Sequence, residues 1–213
     1  MVKAIIFDLD GLLIDTEIVS YKIYKELLQK FGYDFLVEEY TRTYSGKTEI
    51  KNVMTLIENY RLPWTVEQGL FQVLSVEERM INEGIDLKKG AKELLSYLKE
   101  NNYKTAIATS STCDRAMNIL NQHDFAKYFD SFVFAEELTN GKPNPEVFLK
   151  ACDKIGEEPK NCLVLEDSEA GIQAAYSANI PVICIPDMKM PAQEYLDKTI
   201  AVLESLDKVI NIL

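Results

Sequence analysis

Histidine and cysteine, the usual makings of zinc and disulfide sites, are scarce in this 213-residue chain, with one histidine and four cysteines. The single histidine, His123, lies in a polar Asn-Gln-His-Asp stretch and reads as an ordinary surface residue. Cys113, Cys152, Cys162 and Cys184 show no Cys-x-x-Cys spacing, and Cys162 and Cys184 sit inside apolar runs. They read as reduced thiols of a cytosolic (cytoplasmic) protein rather than as metal ligands or disulfides. No run approaches the ~20 apolar residues of a membrane span, and the N-terminus reads as a strand, not a signal peptide. Basic residues are in deficit, 23 against 34 acidic, for a net charge of −11. That balance argues against a nucleic-acid or anionic-membrane surface. Neither an internal repeat nor a low-complexity tract is present. What remains is a hydrophobic content of 47%, enough for a sizeable core. The length suits one domain with an insertion, or two small domains.

Strand-like runs fall near 3–7, 104–109, 131–135, 161–165 and 181–185, with a candidate sixth at 199–203. Helix-like segments lie between the later ones, near 90–101, 112–122, 145–155 and 168–178. Such alternation predicts a parallel sheet covered on both faces. Residues 17–83 break it with helical apolar spacing (Ile18, Val19, Tyr21, Ile23, Tyr24, Leu27, Leu28, Phe31) and further helices near 48–60 and 66–82. Thr65-x-x-Gln68 is a candidate capping box for the last of these. The fold class expected is therefore α/β: a Rossmann-like core of residues 1–14 and 86–213, interrupted by an all-helical domain over 15–85. Hinges are placed near 12–16 and 83–89. Leu203–Leu213 reads as a closing helix.

The first strand runs into Asp8-Leu-Asp10. Residues i and i+2 of an extended chain project to one side, so both carboxylates leave the strand's C-terminal end together, where open α/β sheets bind ligands. At an effective dielectric near 20, two unit charges 4 Å apart repel by about 4 kcal/mol. Either the pair is solvated, or it sits with a cation or a proton. Three further segments also end apolar runs with polar residues: Thr109-Ser110-Ser111, then Gly141-Lys142-Pro143-Asn144-Pro145, then Glu166-Asp167-Ser168.

The order Asp8-x-Asp10, Thr109, Lys142, Glu166-Asp167 resembles the four motifs of the haloacid-dehalogenase (HAD) superfamily of phosphoryl-transfer enzymes. The strings from Asp8 to Glu17, Gly141 to Phe148 and Glu166 to Ile172 resemble its β-phosphoglucomutase-like branch. The resemblance runs from residue 8 to about 178 and implies that the inserted helices are a mobile cap domain, which can act as a lid. It implies Asp8 as nucleophile, forming an aspartyl phosphate, and Asp10 as general acid and base. Thr109, with the amides of Ser110 and Ser111 at a helix N-terminus, would bind the transferring phosphoryl group, and Lys142 would neutralise developing charge. Mg2+ is the implied cofactor, held by Asp8, Asp10 (through its backbone carbonyl), Asp167 and Glu166, the last as direct or indirect ligand. Lys142→Ala is expected to fold normally and lose orders of magnitude in turnover.

Glu17, Tyr21, Lys47 and Thr48 are the cap residues expected to choose the substrate, although a helical tyrosine such as Tyr21 is more often core. Where the mutase pattern has a cap histidine and arginine, this chain has Ser20 and Glu49, which weakens the grip on a second phosphate. The reading is therefore a Mg2+-dependent phosphatase, a hydrolase of a small phosphate monoester such as a sugar or polyol phosphate. The negative net charge does not oppose such a substrate. A phosphomutase is the alternative; a phospho-accepting signalling domain would lack the helical insertion. Dehalogenation is set aside, because those relatives do not keep the second aspartate or the metal site. A monomer is expected, with a small phosphorylated metabolite as partner.

Overall fold

The computed structural model describes residues 2–213. Six short runs form one parallel sheet: β1 (Ala4–Phe7), β2 (Lys104–Ala108), β3 (Ser131–Val133), β4 (Cys162–Glu166), β5 (Val182–Cys184) and β6 (Ala201–Val202). Their spatial order is β3-β2-β1-β4-β5-β6. The central strands are apolar through most of their length, as strands covered on both faces must be, and β1, β4 and β5 are buried at every residue. Alternate residues Ala4, Ile6, Ala106, Ala108, Cys162, Val164 and Val182 share one core cluster with Val147, Phe148 and Ala151 of α7 (Glu146–Ile155) and Ile172, Ala174 and Ala175 of α8 (Glu169–Ser177). Helix α5 (Ala91–Glu100), which packs beside β2, buries Leu94, Leu95 and Leu98.

The order of strands reverses direction between β1 and β4, the switch point at which doubly wound sheets open a crevice. Register fixes what arrives there. Phe7 pairs with Leu165 on one side and Ile107 on the other, and the Asp8 N–H continues the ladder onto Leu165 O at 3.1 Å. Asp8 is thereby level with Glu166 and one step from Thr109.

The chain divides into two compact units, Met1–Asp15 with Asp86–Leu213, and Thr16–Ile85. The second is helical: α1 (Thr16–Gln29), α2 (Val37–Thr43), α3 (Glu49–Tyr60) and α4 (Val66–Glu83). Within it α1 buries Val19, Ile23, Tyr24, Leu27 and Leu28 at helical spacing, around an aromatic nest of Tyr24, Phe35, Tyr40 and Tyr44 with ring centroids 5.5–6.4 Å apart. The capping box at Thr65 forms both bonds, Gln68 N–H to Thr65 Oγ1 at 3.2 Å and Thr65 N–H to Gln68 Oε1 at 2.9 Å. Helix α2 was outside the expectation; seven residues with only Tyr40 buried carry no readable period.

The two strands of chain linking the units are joined to each other. Asp15 N–H donates to Asp86 O and Lys88 N–H to Leu13 O, both at 2.9 Å, and Ile14 bridges Leu87. The C-terminal segment corrects the expected closing helix: it is a 3-10 helix over Leu206–Asn211. Its buried residues, Leu206 and Val209, are three apart and so share one edge of the three-residue turn. His123 is half-buried against the Phe125 ring. All four cysteines are free thiols, Cys113 exposed and the others buried. Among the described residues no helix is long and apolar enough to cross a membrane.

Candidate active site

The ends of β1 and β4 bring Asp8, Glu166 and Asp167 together, with one carboxylate oxygen from each within 4.8 Å of the others. Asp8 and Glu166 are buried. Burial, against the opposing effect of Lys142, pushes the Asp8 carboxyl up to about 7, with Glu166 and Asp10 adding to the rise. Asp167 is driven well above the usual carboxylate range by burial and then by Glu166, Asp8 and Asp187. Close packing forbids easy relief. A Cβ on Gly11 (φ +84°) would stand 2.5 Å from Asp167 Oδ2, and one on Gly171 would overlap the Glu166 carboxylate at 1.6 Å.

Lys142 is the cation inside this cluster. Its ammonium bonds Asp8 Oδ1 and lies 2.6 Å from Glu166 Oε1, its side chain is 8% exposed, and it rests 5.0 Å over the Phe148 ring. The lysine thus neutralises two buried carboxylates, a role in stability that the expectation for Lys142→Ala did not include. Glu166 is fully engaged: Oε2 accepts the Asp167 and Ser168 amides at 2.8 Å and the Ser168 hydroxyl at 2.9 Å. It fixes Lys142 and the turn into α8, which leaves Asp8 and Asp167 as the carboxylates best disposed to ligate. An all-oxygen, mainly carboxylate set with a single internal cation fits a hard divalent metal ion.

The Lys142 loop has its own brace. Glu146, the first residue of α7, accepts the amides of Thr139 and Asn140 at 2.9 Å each and pairs with Lys150 at 2.8 Å. Lys150 and the two amides hold its carboxyl at about 2. Glu146→Gln removes the charge that gathers this loop. A displaced Lys142 should lower kcat by about 10- to 100-fold, the scale on which small misplacements cost rate; steady-state kinetics alongside a thermal melt would check it.

Thr109 is buried at the end of β2, and its Oγ1 accepts the Ser111 amide at 3.0 Å. The helix expected near 112–122 is α6 (Cys113–Gln122), so Ser110 and Ser111 precede it rather than open it. The Ser111 amide already has a partner, and the Cys113 amide at the helix start donates to the Glu136 carboxylate at 3.0 and 3.2 Å. Ser110 is exposed. Asp10 lies half-exposed, and its side chain bonds Ser111 and Arg115 rather than joining the three-carboxylate cluster. Arg115 was not foreseen, since one arginine in an amphipathic helix has no distinguishing mark. Asp187 and Lys88 were also missed; they pair at 2.5 Å beside Asp167.

In the helical unit, Tyr21 stacks on Phe35 at 5.9 Å and donates its hydroxyl to Phe35 O at 3.2 Å. Glu17 accepts the Tyr40 hydroxyl at 2.9 Å. Lys47 and Thr48 are exposed at the start of α3. Glu49 accepts the Tyr24 hydroxyl at 2.7 Å.

Residues 5–185 match the family model described as haloacid dehalogenase-like hydrolase. Over 178 residues the chain is 33% identical to the phosphorylated carbohydrates phosphatase of Thermotoga maritima, covering 84% of this chain and 82% of that protein. It is 27% identical to hexitol phosphatase B of Escherichia coli K12, covering 87% and 84%. Its fold superposes on the β-phosphoglucomutase of Clostridium difficile with a TM-score of 0.74 at 28% identity, over 98% of this chain and 93% of that one. The chain belongs to the haloacid dehalogenase-like hydrolase family. It is an enzyme of the phosphatase kind.

Proposed function

We propose that this protein hydrolyses a small phosphate monoester, a sugar or polyol phosphate, through an aspartyl phosphate on Asp8 with Mg2+ as cofactor. The observation that carries the reading is the Asp8–Lys142–Glu166–Asp167 constellation at the switch point. Asp8 and Asp167 would hold the ion, with the Asp10 carbonyl as the family resemblance implies. When bound, it supplies positive charge that keeps Asp8 ionised and draws a phosphate toward it. The remaining chemistry belongs to the chain. Asp8 attacks phosphorus in line while Lys142 and the Thr109 hydroxyl bear on the phosphoryl oxygens, where charge accumulates. Asp10 gives a proton to the departing alcohol and then takes one from water as the aspartyl phosphate is cleaved.

The alcohol half is proposed to be chosen by Glu17, Lys47 and Thr48. Glu49 and Ser20, at positions where the mutase pattern has cations, disfavour a doubly phosphorylated intermediate and favour hydrolysis over phosphoryl return. The relatives named for phosphorylated carbohydrates and hexitols support the substrate class.

The test is phosphate release from a panel of sugar, polyol and nucleotide phosphates with Mg2+ or with a chelator. Metal-dependent release strongest on sugar or polyol phosphates is the expected result. Conversion of β-glucose 1-phosphate to the 6-phosphate, dependent on trace bisphosphate and without phosphate release, would make the protein a mutase.

A further inference from the structure

Asp10 has to serve as acid and then base from a half-exposed position beyond the strand, where a short carboxylate side chain is free to turn. Both of its oxygens are nonetheless held. Arg115 Nη1 donates to Oδ1 at 2.7 Å, and the Ser111 hydroxyl donates to Oδ2 at 2.6 Å while accepting from Arg115 Nη1 at 2.6 Å. The side chains are only 24% and 30% exposed for Arg115 and Asp10. The Ser111 amide in turn donates to Thr109 Oγ1, so one hydrogen-bonded path joins the hydroxyl beside the phosphoryl position to the acid–base carboxylate.

The placement of Arg115 makes little sense as a stability device. It is the third residue of α6, in the first turn, where the helix dipole disfavours a cation by about 0.3–1 kcal/mol. One turn from Ser111, however, its Nη1 reaches both groups at once from a stem long enough to span them.

We propose that Arg115 is the positioning residue for Asp10, acting with Ser111 to hold its carboxylate in the orientation both half-reactions need. The inference rests on the assignment of Asp10 above. In the first half-reaction the Asp8 oxygen bonds phosphorus, the phosphorus–alcohol bond breaks, and the Asp10 proton goes to the alcohol oxygen. In the second, water oxygen bonds phosphorus, the Asp8–phosphorus bond breaks, and the water proton goes to Asp10. On this proposal Arg115 acts through Asp10 rather than on the phosphoryl group or the alcohol.

The experiment is a double-mutant cycle of Arg115→Ala with Asp10→Asn, with kcat and KM measured on the best ester of the panel. Arg115→Ala is expected to lower kcat by about 10- to 100-fold, part of what acid–base catalysis supplies, with KM within about twofold. In the Asp10→Asn background the same change should alter kcat by less than about twofold, because the group it positions is gone. Arg115→Lys should recover only part of the loss, and it carries the same comparison should Arg115→Ala fail to fold. A rise in KM at constant kcat would instead make Arg115 a substrate-anion ligand and overturn the proposal. So would full additivity with Asp10→Asn, including complete loss in both backgrounds. A wild type inactive on every ester would fail the phosphatase reading itself, and only an active wild type lets Arg115 be judged.

Discussion

Asp8→Asn should abolish turnover while making the metal-free protein harder to melt. The first half follows from the nucleophile: an amide cannot form the aspartyl phosphate, and losses of about 10⁴-fold or more accompany removal of a covalent nucleophile. The second half follows from the carboxyl's position. Its ordinary value of 3.8 is raised to about 7 in the folded chain by burial. Between those values the unfolded chain has released the proton that the folded chain retains, so stability falls as pH rises through that window, and the penalty is complete above about 7. Below about 4 both states are protonated and the penalty vanishes. The neutral amide escapes it at every pH. Melting curves from pH 4 to 8 in chelator should therefore converge at the acid end and separate at the alkaline end, with the variant higher by about 2–8 °C, the scale of 1–2 kcal/mol in a chain of this size. Added Mg2+ should close the gap by stabilising the wild type more than the variant. Parallel curves at all pH values would show that Asp8 is not the strained group.

Lys142→Ala should fail in the opposite manner, losing stability and activity together. Removing it strands Asp8 and Glu166 without their shared cation in a site where both are buried. Breaking such a buried pair costs about 3–5 kcal/mol, which corresponds to a fall of about 6–20 °C in Tm for this length. Turnover should drop by at least about 10²-fold, as when a preorganised charge-stabilising donor is removed. The stability deficit should shrink as pH is lowered toward 5, where Asp8 takes up a proton and one of the two stranded charges disappears. Calorimetry at pH 8 and pH 5 decides it: a variant melting with the wild type at both would mean that Lys142 is solvated in practice.

These two expectations also mark where the sequence was readable. Five strands declared themselves through short, largely apolar runs, and the carboxylates through their position at the ends of those runs. The Thr65–Gln68 box was legible because its chemistry is complete within four residues. What was hidden depends on partners far apart in the chain. Lys142 was named for the site by its motif, but its pairing with Glu166 shows only when β4 brings the two together, and Arg115 looks like any helical arginine until β1 delivers Asp10. The Cys113 amide at the start of α6 is taken by Glu136, a partner far enough along the chain to leave no trace in the local sequence.

The hydrogen-bonded pair of linkers carries a consequence for how such an enzyme changes over time. Because Asp15 and Asp86 are neighbours joined at 2.9 Å, the stretch Thr16–Ile85 leaves and re-enters the sheet unit at a single point. Excision, lengthening or replacement of that stretch leaves the strand register, and with it the spacing of Asp8, Lys142 and Asp167, as it was. Selection can therefore rewrite the inserted helices without reopening the problem of how to break a phosphate ester. A transplant of another family member's insert between Asp15 and Asp86 becomes a practical route to new substrates.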